Sequence, residues 1–555
     1  MKKEFFLGLD IGSNSVGYAV TDLDYEVLKF NKKAMWGVHL FDEGSQSAKR
    51  RVFRSARRRL MRKKQRIQLA RELFAKEITK VDENFFKRLD ESALIRDDKT
   101  HGSGNSLFAD AGLTDKDYHK SFPTIHHLIM YLINSNKKED IRLVYLAAAY
   151  MLSHRGHFLI EVEKDDIGKI TSFDIVYSRF LSYFEENEID SNLSKAIKDE
   201  LGNAIKMKDG VIQKQKRIEA IVFPKIKKID VGDKAIIKAI SGGTFKLSDL
   251  YDKKAYTEID IKDFKLSIAD FEEKIEELSE VLNEEEIQLL VSLKAIYDWS
   301  VLIDILEGNE YISNAKIAIY AKHKQDLKLL KCFINKYVPD KYFEVFKQSK
   351  TGLNNYTAYV KNHKLKKVVP VDKSEKKKKD DNFWKYIQLI FKDVEVDAAD
   401  EKDFNDMKLR LEQSTFMPKQ VSTENGVIPY QIIRHQLKAV LVNASKHHAF
   451  LLEKDADGLT VVDKLLSIIE FRIPYYVGPL NDFHKNSKKN SWIERKADGK
   501  ILPWNFEEKV DLEKSEEAFI RRMTCMCTYL PGEDVLCKNS LLYSKYMVLN
   551  EINNI

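Results

Sequence analysis

The order of apolar and polar positions divides the chain into a short β-patterned opening and a long helical remainder. Phe5-Phe6-Leu7-Gly8-Leu9 is an apolar run ending at Asp10 and Ile11, and Val16-Gly17-Tyr18-Ala19-Val20 is a second. Gly12-Ser13-Asn14-Ser15 between them is turn chemistry, and Asp22 to Tyr25 suits another turn before Val27-Leu28. The pattern predicts strand, tight turn, strand. The first strand is expected to be central and buried, with Asp10 emerging near its end. A block of about forty residues is too small to be a complete domain.

From 47 to 77 there is no Gly or Pro and helix formers abound, which predicts one helix. Val52, Ala56, Leu60 and Ile67 recur at four- or seven-residue steps and give it a single narrow apolar stripe. Helical periodicity then dominates, with helices expected over 124–133, 141–153, 259–282, 284–306 and 326–337. An Asn425-Gly426 turn predicts a hairpin across 421–429. The Lys-rich piece 373–381 reads as a solvated surface loop.

Composition supports this division. Only 22 Gly and 10 Pro among 555 residues disfavour a turn-rich chain, and the length calls for several domains. No run reaches the ~18 apolar residues of a membrane-spanning helix. The opening apolar run is interrupted by Asp10 too soon for a signal peptide. The expectation is a cytoplasmic protein with no membrane partner. Cys332 stands alone, and Cys525, Cys527 and Cys537 lack paired C-x-x-C spacing, so reduced thiols are expected rather than a zinc site.

Charge changes the picture more. The net charge is +7, yet residues 44–71 hold twelve Lys/Arg and no Asp/Glu, so the remainder is slightly acidic. Positive charge gathered in one place implies a localised polyanion partner. On a helix, Arg51, Arg54, Arg58 and Arg62 share one face, with Arg50 and Arg57 to one side and Arg59, Lys63 and Arg66 to the other. Like charges at this spacing destabilise an isolated helix, so something negative must offset them. The planar fork of arginine fits phosphate, and an RNA or DNA backbone is the natural partner. Calmodulin-like and membrane-surface helices need a broader apolar face.

A carboxylate held on a strand, as Asp10 is, suits Mg²⁺, a hard cation that takes oxygen ligands. Such an Asp occurs in the ribonuclease-H-like fold, where it helps hold two metals for phosphodiester cleavage. Gly12 allows the tight turn, and Gly17 allows another group to approach closely. The same string resembles the first phosphate loop of actin and sugar-kinase ATPases. Those enzymes need further glycine-rich loops, for which Ser241-Gly242-Gly243-Thr244 is the only candidate.

Asp10 in its strand-turn-strand followed by the Arg-rich helix resembles the type II CRISPR effector nucleases, the Cas-nine family of RNA-guided DNA endonucleases. Further similar strings follow in order: Phe122-Pro-Thr-Ile-His-His127, Arg142-Leu-Val-Tyr-Leu-Ala147, Arg155-Gly-His-Phe-Leu-Ile160, Phe471-Arg-Ile-Pro-Tyr-Tyr-Val-Gly-Pro-Leu480, Pro503-Trp-Asn-Phe-Glu-Glu508, Phe519-Ile-Arg-Arg-Met523 and Ser540-Leu-Leu-Tyr543. The resemblance implies a monomeric, prokaryotic protein with a mainly α fold. It would comprise an incomplete RNase-H-like (RuvC) segment over 1–43, a bridge helix over 44–77, and a helical recognition lobe over 78–555, incomplete at its C-terminal end.

The resemblance also implies roles. Asp10 would be a catalytic RuvC metal ligand for Mg²⁺, with Mn²⁺ as a substitute, in cutting the non-target strand. Arg51, Arg54, Arg57, Arg58, Arg59, Arg62, Lys63 and Arg66 would hold the guide RNA, whether crRNA with tracrRNA or a fused single guide. Arg155 would contact the guide's repeat duplex. Arg472, Tyr475 and Asn505 would contact the heteroduplex of guide and target DNA. The later RuvC segments, the HNH nuclease and the PAM-reading domain of that family are not found in this sequence. The chain alone is therefore expected not to cut DNA. The alternatives are a helical RNA-binding protein without nuclease activity and, third, a kinase-like ATPase.

Overall fold

The computed structural model describes residues 4–553 apart from 13, 42–46, 95–97, 99–105, 111–112, 159–167, 169–170, 187–192, 194–197, 207–210, 225–228, 252–262, 268–270, 279–281, 348–353, 362–382, 420–425, 475–476, 478–492, 524–525, 527–531 and 538–539. The chain forms two compact units, Met1–Gln65 with Asp270–Ile287, and Arg66–Ala269 with Gln288–Ile555. The fold is mainly helical, as the sequence predicts.

The first unit carries a three-stranded antiparallel sheet. Its strands are β1 (Phe6–Ile11), β2 (Ser15–Thr21) and β3 (Trp36–Leu40), in the order β1-β2-β3. The hairpin joining β1 and β2 closes through Gly12 N–H donating to Ser15 O at 2.8 Å. The turn after β2 is held by the Asp22 carboxylate, which accepts from Asp24 N and Glu26 N, while Tyr25 takes a positive φ. The expectation of a buried central β1 is overturned. β2 is central, β1 is an edge, and Phe5, Leu7, Leu9 and Ile11 are all more than half exposed. The apolar run makes a good strand, but no described residue layers over it. Gly17 faces Asp10 across the pair, where a Cβ would sit 3.6 Å from Asp10 Cβ, an ordinary contact. The tight approach is at Gly37, where a Cβ would lie 3.1 Å from the Tyr18 ring.

Helix α1 (Ser47–Val81) starts where the sequence places it and runs four residues further. Its apolar stripe divides. Ala56 and Leu60 are exposed, and burial begins only with Ile67 and continues through the fully buried Ala70, Phe74 and Ile78. The expected stripe through Val52, Ala56 and Leu60 is thus not a packing face at the two positions whose side chains are described.

In the second unit, the later part of α1 packs with α2 (Ile125–Asn134), α3 (Ile141–Ser153), the last turns of α4 (Glu284–Leu306) and the start of α5 (Ile312–Tyr337). Helices α7 (Tyr430–Ser445) and α8 (Val461–Glu470) complete this core. A second core gathers the end of α5 and helix α6 (Glu401–Glu412) around Phe333, Phe404 and Phe416. Among these residues Asp326 accepts both ends of the Arg410 guanidinium, at 2.8 and 2.5 Å.

Several sequence expectations change here. The stretch 259–282 is not one helix. Phe264 pairs with Phe245 through two backbone hydrogen bonds, and both rings are buried, so only Phe271–Leu278 is helical within the described part. Residues 373–381, and 421–425 of the expected hairpin, lie outside the described residues. The described remainder of that hairpin is not a strand pair, and Pro429 instead bridges His157 in parallel. Among the described residues, no helix is long and apolar enough to cross a membrane.

Candidate nucleic-acid interface

The basic residues of α1 separate by environment. Arg54, Arg57 and Arg59 are exposed, and Arg58, Arg62, Lys63 and Arg66 are half-buried. The side chain of Arg51 lies outside the described residues. The first turn of α1 holds no acid, and the earliest acidic residue along the helix is Glu72. Arg54 and Arg57 thus have no acid on their own helix within several turns, an arrangement that a polyphosphate backbone can neutralise. Further along, the cations serve the protein. Arg66 Nε donates to Leu152 O at 3.1 Å, at the end of α3. Arg71 pairs with Asp90 at 2.7 Å and covers the Phe86 ring at 4.7 Å.

Arg155 is also engaged within the fold. Its Nη1 donates to Phe471 O at 2.5 Å and to Ile469 O at 3.4 Å, beside the C-terminal end of α8. Its guanidinium stacks over Phe158 at 4.5 Å, and Phe158 stacks on Tyr430 at 4.2 Å. Arg472, next to the carbonyl that Arg155 holds, is exposed. Tyr475 lies outside the described residues. The Asn505 amide shapes its own loop, accepting from Leu502 N at 2.7 Å and donating to Lys500 O at 3.3 Å. The structure therefore places Arg155 beside Arg472, and Asn505 in a turn whose next residue, Phe506, packs edge-on against Phe471 at 5.0 Å.

A second basic face was missed in the sequence. On α5, Lys322, Lys324 and Lys328 are exposed, and the helix's one acid, Asp326, is buried against Arg410. Lys324 Nζ lies 5.4 Å from the Tyr320 ring centre, and that ring meets His127 edge-on at 5.5 Å. His323 bonds Tyr356 Oη at 3.0 Å and Pro418 O at 2.9 Å. The signal was available as a run of lysines from 316 to 336 broken by a single acid.

Asp10 sits on the exposed edge strand β1. Among the described residues, no group of three or more His, Cys, Asp or Glu side chains gathers to hold a metal ion. Asp10 therefore offers one carboxylate and not a complete site. The kinase reading fails on geometry as well. Ser241 caps the helix Val231–Ile240, and Gly242 N and Gly243 N donate back to Ala239 O and Lys238 O. Those amides close a helix end and have no proton left for a phosphate.

An antiparallel sheet in one unit, a mainly helical second unit and an arginine-rich helix with residues in both define the class: a multi-unit, mainly α protein with its positive charge concentrated on one helix. Residues 173–555 match the family model for the REC lobe of CRISPR-associated endonuclease Cas9, and residues 50–82 match the model for its bridge helix. The chain belongs to the Cas9 family. It is 36% identical over its whole length to a CRISPR-associated endonuclease Cas9 from Listeria innocua, covering 40% of that protein. It is 34% identical to one from Streptococcus mutans, covering 39%. The chain thus spans about 40% of the length of the curated relatives it matches.

Proposed function

We propose that this chain is the guide-binding N-terminal portion of an RNA-guided DNA endonuclease. The observation that carries the reading is α1: one end is built into a protein core, and the other presents Arg54, Arg57 and Arg59 with no acid on the helix before Glu72. A buried end gives the helix a fixed base, and the exposed end takes the phosphates of a guide RNA. The helical second unit, with exposed Arg472 and the lysine face of α5, receives RNA and the guide–target heteroduplex by backbone charge and shape. Base pairing, not protein side chains, reads the target sequence.

Asp10 contributes one carboxylate to a nuclease centre whose other ligands come from outside the described residues. A two-metal phosphodiester site needs several such ligands, so the chain by itself binds RNA and does not cut DNA.

The test is guide-RNA affinity across a salt series. Cognate repeat-containing RNA is compared with a scrambled RNA of equal length, for the unaltered chain and for the triple variant Arg57→Ala, Arg58→Ala, Arg59→Ala. Preferential binding is expected, with a slope of log affinity on log salt that falls by about 0.7–0.9 for each phosphate no longer neutralised. Equal binding of both RNAs, indifferent to the substitutions, would refute the reading. Added DNA and Mg²⁺ should yield no Asp10-dependent cleavage.

A further inference from the structure

We infer that Asp82 is a positioning residue for guide RNA, which together with Arg88, Arg142 and Asp140 locks the exit of α1 before RNA arrives. The inference rests on the reading of α1 as a guide-binding helix.

Asp82 follows the last residue of α1, where the free carbonyls of the helix end repel a carboxylate. It is nevertheless only 11% exposed, and two arginines hold it there. Arg88 pairs with the same Oδ2 that accepts Arg142 Nη1 at 3.0 Å, and Oδ1 accepts from Asn84 N at 3.2 Å. The Arg142 side chain is 1% exposed. Its Nη2 meets Asp140 Oδ2 at 2.6 Å, and Asp140 also caps α3 through Arg142 N at 2.8 Å. Arg88 Nε donates to Leu107 O at 2.9 Å, and the Phe108 ring lies 5.2 Å from the Arg142 guanidinium. The exit of α1, the helix Phe85–Asp90, the loop at Leu107 and the start of α3 thus converge on one carboxylate.

Among the described residues, two guanidiniums and two carboxylates meet here. Removing the Asp82 charge takes from Arg88 and Arg142, both largely buried, a carboxylate that they share, while Arg142 keeps Asp140. Packing of Ala70, Phe74 and Ile78 holds one face of α1 against the core, but apolar packing is not directional. The hydrogen bonds at Asp82 are, and together with those of Arg66 to Leu152 O and of Arg71 to Asp90 they fix the register and direction of the helix end. The arginine-bearing residues repel one another, so their helical order propagates from the anchored end. Order supplied by the protein is order that RNA binding need not supply, and that raises affinity.

The experiment uses the full chain with Asp82→Asn, with Asp82→Glu as the conservative variant, followed by amide hydrogen exchange and the RNA salt series. Asp82→Asn should speed exchange across residues 66–81 while α2 keeps its protection, and Asp82→Glu should restore part of it. Guide affinity should fall about tenfold at every salt concentration with the slope unchanged, because the same phosphates are still neutralised. Unchanged exchange over 66–81 would overturn the inference, as would a lower melting temperature with unaltered affinity. A reduced salt slope would make Asp82 part of the contact surface and also overturn it. Should Asp82→Asn not fold, Arg88→Lys carries the same comparison. Were the unaltered chain to bind cognate and scrambled RNA alike, the guide reading would fall, and the exchange rates alone would decide whether Asp82 locks α1.

Discussion

Replacing Gly156 by alanine should destabilise the second unit by far more than a backbone preference accounts for. Gly156 has φ +86°, a region in which an L-residue costs about 1 kcal/mol. A Cβ there would also run into the carbonyl oxygen of Ile428, with Pro429 C at 2.9 Å and Tyr430 N at 3.0 Å. All three are backbone atoms and cannot swing aside as a side-chain end does. Relief requires the segment 428–430 to move away. That breaks His157 N→Ile428 O and Tyr430 N→His157 O, both 2.9 Å, at about 1 kcal/mol each. It also parts the Phe158–Tyr430 stack, worth about 1 kcal/mol. The expected loss is about 4 kcal/mol. Gly308 supplies the control, with φ +80° and nothing within 4 Å of its would-be Cβ, so Gly308→Ala should cost only about 1 kcal/mol. Urea unfolding followed by circular dichroism measures both. Equal losses for the two variants would refute the steric argument, because the backbone conformations are nearly the same.

Helix limits were legible where local chemistry sets them. The sequence-based bounds 141–153 and 284–306 match α3 and α4, and both starts have side-chain caps: Asp140 on Arg142 N, and the reciprocal pair Asn283 and Glu286. The stretch 259–282 was misread because Phe264 is fixed by Phe245, a partner that helical periodicity does not reveal. Burial of β1 was misread for a related reason: an apolar run shows that a strand can be covered, not that a covering layer is present. At the interface, the arginine cluster was plain from charge alone. What each arginine does was not. Arg66 bonds a carbonyl 86 residues away and Arg155 one 316 residues away, so whether a cation faces solvent or serves the fold depends on long-range packing. The Asp82 network was hidden likewise, since Asp82 and Arg142 are 60 residues apart.

Two further perturbations test the packing. Asp326→Ala removes a buried carboxylate that accepts from Arg410 and from Met417 N at 2.8 Å, and should cost about 3–5 kcal/mol. Limited proteolysis should then speed cleavage around α6 while α2 and α3 resist, and uniform resistance would refute the assignment of Asp326 to the second core. His126 makes the protein acid-sensitive. It is buried, its Nδ1 lies 3.0 Å from Ser313 Oγ, Tyr150 Oη lies near Nε2, and burial with the nearby Lys316, His127 and His154 lowers its pKa to about 4. The unfolded chain, with an ordinary histidine near 6.5, binds that proton more readily. The stability is therefore complete above about pH 6.5 and is lost as the pH falls toward about 4, by up to ~3 kcal/mol. His157, also lowered to about 4 by burial, adds a loss in the same window. His126→Gln should therefore flatten the fall in urea midpoint between about pH 7 and about pH 4 without abolishing it. A variant profile parallel to that of the unaltered chain would show that His126 does not titrate with unfolding.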